Sequence, residues 1–207
     1  MAPSLAGSVE LTFDDGPDPV WTPAVLAALS GSSLRATFFV IASRVSAHPQ
    51  VVAAIRAGGH DIQLHCHEHV RHTEVDRATI EDDTQRALTT LADLGVHPRR
   101  WRTPWGDRAP WTEEIAAAHD LELCGWDVDT HDWRGDAAEA MLAAVGPTLH
   151  EGPVVLLHDG LGPGARRQGC EETVRFTRLI AAEAASAACS CGPISYEYGR
   201  AGDRFDS

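Results

Sequence analysis

The sequence predicts an α/β fold in which parallel strands are joined by crossover helices. Two observations carry this. Short apolar runs of strand length alternate with longer helix-like segments, and the polar motifs recur at the downstream ends of the apolar runs, where parallel α/β folds gather their chemistry.

The elements follow in order. A strand over 9–13 leads to a helix over 22–29, with Pro23 in its first turn, where a missing amide costs nothing. A strand over 37–41 is followed by a helix over 49–57, opened by Pro49 and closed by Gly58-Gly59. After a strand over 61–64, the helix over 77–94 is the clearest of all. Ile80, Ala87, Leu88, Leu91 and Leu94 form its apolar stripe, Glu81, Asp82, Asp83 and Arg86 its solvated face, and Gly95 follows its end. Strands over 100–102, 121–126 and 154–158 alternate with helices over 112–119, 137–149 and 171–188, and 194–198 is a weak last strand.

At 207 residues the chain reads as one domain over 1–207, with 1–8 and the stretch from about 199 peripheral. Seventeen basic against 30 acidic residues give a formal net charge of −13, and no basic stripe with interleaved aromatics occurs, so nucleic acid is excluded as a partner. No apolar run approaches the roughly 18 residues of a membrane span. The first eight residues lack a basic region and an apolar region, so no signal peptide is seen and a cytoplasmic location is expected. Cys66, Cys124, Cys170, Cys189 and Cys191 are odd in number and irregularly spaced, which does not make a disulfide framework. Nothing specifies an oligomeric state.

Three stretches hold the chemistry. Asp14 and Asp15 are adjacent carboxylates at a strand end; they suit a cation, or simply a turn or helix N-cap. His65 and His69 are four residues apart, a spacing that puts two imidazoles on one side of a helical turn; with a carboxylate they make a three-ligand metal set with open positions. His67 points elsewhere at that spacing, His72 competes with His69, and a solvated polar loop is the plain alternative. His158 closes the apolar run Val154-Val155-Leu156-Leu157, as a rim imidazole or as a satisfied core histidine. Arg102 can brace a carboxylate through its guanidinium fork.

Five motifs in order then resemble the polysaccharide deacetylases of the NodB-homology type, carbohydrate esterase family 4: Thr12 to Pro17; Gly59-His60-Asp61 leading to His65 and His69; Arg102 to Gly106; Asp129-Thr130-His131-Asp132-Trp133; and Val155-Leu156-Leu157-His158. The resemblance runs from about Val9 to about Leu179. It implies a distorted (β/α) barrel, commonly seven-stranded, and a divalent metal held by Asp15, His65 and His69, with zinc favoured and cobalt, nickel or manganese as alternatives. It implies Asp14 as general base oriented by Arg102, and His158 as general acid tuned by Asp132. The Trp105 amide would help to hold the oxyanion, while Trp133 and Leu156 would wall the acetyl pocket. The chain departs from the family at Cys66, where Ser or Thr is usual, at Glu68 between the ligands, and in 189–207, which match poorly.

The implied activity is removal of an acetyl group, N-acetyl favoured over O-acetyl, from an amino sugar. Without an export signal, the expected substrate is a soluble glycan fragment, an amino-sugar metabolite or another acylated small molecule. Hydrolysis of a non-sugar amide on the same scaffold, or a catalytically silent carbohydrate-binding protein, are the alternatives. The six tryptophans include candidate sugar platforms, although most serve the core or its rim.

Overall fold

The computed structural model describes residues 9–186. Seven parallel strands are joined by helices: β1 (Glu10–Asp14), α1 (Trp21–Leu29), β2 (Ala36–Ile41), α2 (Ala42–Ala47), α3 (Pro49–Ala57), β3 (Asp61–Cys66), α4 (Arg77–Asp93), β4 (Arg100–Trp101), α5 (Thr112–Ala118), β5 (Glu122–Leu123), β6 (Val128–Asp129), α6 (Ala138–Val145), β7 (Val154–His158) and α7 (Glu171–Ser186). The strands form one sheet in the order β5-β4-β3-β2-β1-β7-β6.

That order requires a curled sheet. β5 and β6 are consecutive in the chain yet lie at opposite edges, joined by Cys124 to Asp127. The five residue steps from Leu123 to Val128 reach at most about 18 Å. Seven flat strands at the usual spacing would put the edges about 29 Å apart. The sheet therefore rolls into a half-barrel, with the helices outside.

Side chains alternate across the strands accordingly. Leu11 and Phe13 join the apolar core, where Phe13 stacks on Phe38 at 5.2 Å between ring centroids. Glu10, Thr12 and Asp14 share the other parity and meet β4 and the residue after it inside the barrel. Arg100 Nη1 lies 2.8 Å from Glu10 Oε1, and Arg102 Nη1 donates to Thr12 Oγ1 at 2.7 Å and to Asp14 Oδ1 at 2.9 Å. One apolar cluster runs from Val9 to Ala184.

The strand expected over 121–126 is instead two short strands, β5 and β6, on opposite edges. The break falls where Arg102 Nη2 takes the Gly125 carbonyl at 2.7 Å and draws the chain across the barrel mouth. This split supplies the seventh strand; 194–198 lie outside the described residues. The helix expected over 137–149 stops at Val145 and continues as a 3₁₀ segment, Gly146–Glu151, because Pro147 lacks an amide. Helix α2 was not expected: it follows β2 without a turn, so no punctuation announces it. Among the described residues, no helix is long and apolar enough to cross a membrane.

Candidate active site

The strand ends deliver the expected residues to one cavity of about 240 Å³. Asp14, Asp15, His65, His69, Trp105, Trp133, Leu156 and His158 line it, while Arg102 and Asp132 stand behind it, buried and bonded to its lining.

Asp15 follows β1 with φ at 73°, a left-handed conformation uncommon outside glycine. Its Oδ1 faces two imidazoles, His65 Nε2 at 3.5 Å and His69 Nε2 at 3.2 Å, and the donor atoms of the three residues lie within 4.8 Å of one another. His65 Nδ1 sits 2.7 Å from the Arg102 carbonyl, which can only accept. The proton is thereby placed on Nδ1, and the Nε2 lone pair faces Asp15. Asp15 Oδ1 is buried without a hydrogen-bond donor. A buried, donor-less carboxylate oxygen facing two imidazole nitrogens fits a divalent cation and little else.

The two histidines do not converge through a helical turn. His65 is the penultimate residue of β3, and His69 returns from the bend that follows it. His72 is structural: its Nδ1 pairs with Thr112 Oγ1 at 3.2 Å, its ring packs on Trp101, and burial lowers its pKa to about 4. His67 is not part of the trio.

Arg102 is fully buried, with its guanidinium over the Phe39 ring at 4.2 Å and its two terminal nitrogens divided between Asp14, Thr12 and Gly125. Asp14 is thus anchored through Oδ1 on a charge-assisted bond. On the other side of the site, His158 Nδ1 donates to Asp132 Oδ1 at 2.7 Å. Burial disfavours the imidazolium, but Asp132, then Asp15 and Asp14, push the His158 pKa up to about 9. His158 is therefore protonated at neutral pH.

Trp105 has φ at 55° in a tight turn, 38% exposed, with His69 edge-on at 4.2 Å and the Arg71 guanidinium over its ring at 4.1 Å. Trp133 donates from Nε1 to Asp129 Oδ2 at 3.3 Å, which sets its ring against the cavity.

The sequence matches the polysaccharide deacetylase family over residues 3–124. It is 34% identical to a chitooligosaccharide deacetylase of Bradyrhizobium sp., with 81% of this chain and 78% of that protein covered. The chain belongs to the polysaccharide deacetylase family. A peptidoglycan-N-acetylglucosamine deacetylase of Bacillus cereus is 32% identical, over 73% of this chain and 72% of its own. The solved family 4 carbohydrate esterase of Streptomyces lividans, in complex with acetate, superposes with a TM-score of 0.80 at 30% identity, covering 91% of this chain and 93% of that one.

Within this deacetylase fold, several residues escaped the sequence reading. Asp83 does not belong to the solvated face of α4. It is buried, and its carboxylate accepts the amides of His67 at 2.8 Å and Glu68 at 2.7 Å, pinning the loop that carries His69. Its place in a charged run hid this; its spacing of three from Ile80 and four from Ala87 was the available signal. Cys66 lies in the same region, 2% exposed, and burial pushes its thiol well above its ordinary value, so it remains protonated and outside the Asp15-His65-His69 trio. Asp83→Asn is expected to weaken metal affinity by about 10-fold, measured by competition with a chromophoric chelator; unchanged affinity would show that the loop holds without the carboxylate.

Arg44 joins the two halves of the site by donating to the Asp15 carbonyl at 2.8 Å and the Leu161 carbonyl at 2.9 Å. Gly162 lies so close to Asp15 that a methyl group there would collide with Oδ2. The segment after β7 is therefore seated directly on the Asp15 turn.

Proposed function

We propose that this chain is a metal-dependent deacetylase that removes an acetyl group, N-acetyl in preference to O-acetyl, from an amino sugar, an oligosaccharide or a related acetylated metabolite. The observation that carries this reading is a single cavity holding a cation-fitting trio, a carboxylate anchored on a buried arginine and an imidazole protonated at neutral pH. The names of the relatives, chitooligosaccharide and peptidoglycan-N-acetylglucosamine deacetylases, support an acetylated amino sugar as the substrate class.

Asp15, His65 and His69 would hold the ion, and the mixed oxygen and nitrogen donor set favours zinc, with cobalt, nickel or manganese also suited. When bound, a divalent cation supplies Lewis acidity, polarising an acyl carbonyl and lowering the pKa of water towards ~7. Asp14, held by Arg102, accepts the proton of the attacking water. Collapse of the tetrahedral adduct requires a proton on the departing nitrogen, and His158 donates it from Nε2 because Asp132 occupies Nδ1. The Trp105 amide is assigned to the developing oxyanion, and Trp133 and Leu156 to the methyl of the acetyl group.

Purified protein loaded with zinc is expected to release acetate from N-acetylated chitooligosaccharides or small N-acetylated amino sugars, and His69→Ala is expected to lose both bound metal and activity. Failure of metal-loaded wild type to release acetate from any of these would overturn the sugar reading; activity on simple acyl amides instead would point to a non-sugar substrate.

A further inference from the structure

We propose that Arg167 is a positioning residue for the acid end of the site, stapling the Asp132 carboxylate to the backbone of His158 so that the imidazole is presented to the leaving group. The proposal rests on the deacetylase reading for the role of His158, and on the geometry below for everything else.

Arg167 lies in the segment between β7 and α7, with a side chain only 6% exposed. A guanidinium that deep destabilises the fold unless it is paired; both terminal nitrogens are paired, while Nε has no hydrogen-bond partner. Nη1 donates to Asp132 Oδ2 at 2.9 Å and to Thr173 Oγ1. Nη2 donates to the carbonyls of His158 at 2.8 Å and Gly160 at 3.3 Å. Asp132 Oδ2 also accepts the His158 amide at 2.9 Å and the Thr173 hydroxyl at 2.7 Å, while Oδ1 takes the imidazole. His158 is thus gripped at its amide and ring by Asp132 and at its carbonyl by Arg167, and these two are bonded to each other. His158 already holds both oxygens of Asp132; the further donors on Oδ2, Arg167 and Thr173, tie that carboxylate to the chain beyond β7 as well.

The cation also sets the strength of the acid. His158 is faced by Asp132 and Arg167, and by Asp14 and Asp15 from the β1 end. Three of these groups are carboxylates that hold the proton on. Arg167 opposes them, both by sharing the Asp132 charge and by its own field. Without it, the imidazolium is held more tightly and gives up its proton less readily. A residue that merely braced the fold would have no such effect on the ring.

The test uses full-length zinc-loaded Arg167→Gln and Arg167→Lys, with an NMR titration of His158 and, on any acetylated oligosaccharide that wild type deacetylates, kcat against pH. Arg167→Gln is expected to keep its metal content, lose about 10- to 100-fold in kcat and titrate His158 about one pH unit higher than wild type. Arg167→Lys, which restores the charge without the fork, is expected to recover part of both. If Arg167→Gln does not fold, Thr173→Val removes one Oδ2 donor and is expected to move the titration the same way by less. An unmoved or acid-shifted His158 titration, or a lysine variant no better than glutamine, overturns the proposal. Because the titration needs no substrate, it decides the role of Arg167 even if wild type proves inactive on sugars, an outcome that would instead count against the functional reading.

Discussion

Asparagine in place of Asp14 is expected to lower kcat for acetate release by about 10² to 10⁴ while leaving bound metal unchanged. The amide has the shape of the carboxylate but cannot accept a proton at neutral pH, so the loss isolates the base from its geometry. The fold should persist, because Arg102 keeps Thr12, the Gly125 carbonyl and the Phe39 face as partners. Arg102 is nevertheless left as a buried charge without a counter-charge, and breaking such a pair costs about 3–5 kcal/mol, so the melting temperature should fall as well. Steady-state kinetics, metal analysis and thermal melting on one preparation separate the outcomes. Loss of metal in the variant would make Asp14 a ligand, and unchanged kcat would remove it from the reaction.

Asp132→Asn is expected to have a comparable effect by another route. The pKa of His158 is raised from 6.5 to about 9: burial opposes this, and Asp132 makes the largest contribution in favour. Wild-type kcat should therefore hold until the acid is lost near pH 9. With the charge removed, burial pulls the imidazole back towards 6.5 or below, the basic limb moves acidward, and at pH 8 most of the acid is already deprotonated. The loss should be about 30-fold or more in kcat at pH 8 and smaller near pH 6. The same shift affects stability. A folded-state pKa above the unfolded one contributes stability fully below pH 6.5, which is lost as pH rises through about 9. The stability gap between wild type and variant should accordingly narrow in alkaline urea titrations. A basic limb in the same place for both proteins would sink the assignment of His158 as the acid.

Much of this was legible in the sequence. The alternation of apolar runs and helical segments gave the class. Asp14, Asp15, His65, Arg102 and His158 could be placed on one rim because each ends or directly follows an expected strand, and in parallel sheets those ends share a side. His69 was identified through an assumed helical turn, whereas a strand and a returning loop bring it to Asp15. Asp83 was misread because a charged run on a helix looks solvated, and only the packing of α4 against β3 and the loop after it turns that carboxylate inward. The strand expected over 121–126 was misread because an apolar stretch does not disclose that it crosses from one sheet edge to the other.

Arg167, Arg44 and Thr173 left no signal, since their roles consist of contacts to distant segments: Arg44 reaches Leu161, and Thr173 reaches Asp132. Local pattern, set by strand parity and by the polar residues that end each strand, was therefore enough to determine which side chains face the barrel interior and its rim. Which of them meet was decided by the tertiary structure alone. β1 and β4 are separated by β2 and β3, about 14 Å in a flat sheet; Arg102 comes within 2.9 Å of Asp14 because the sheet curls and its strands face one another across the interior.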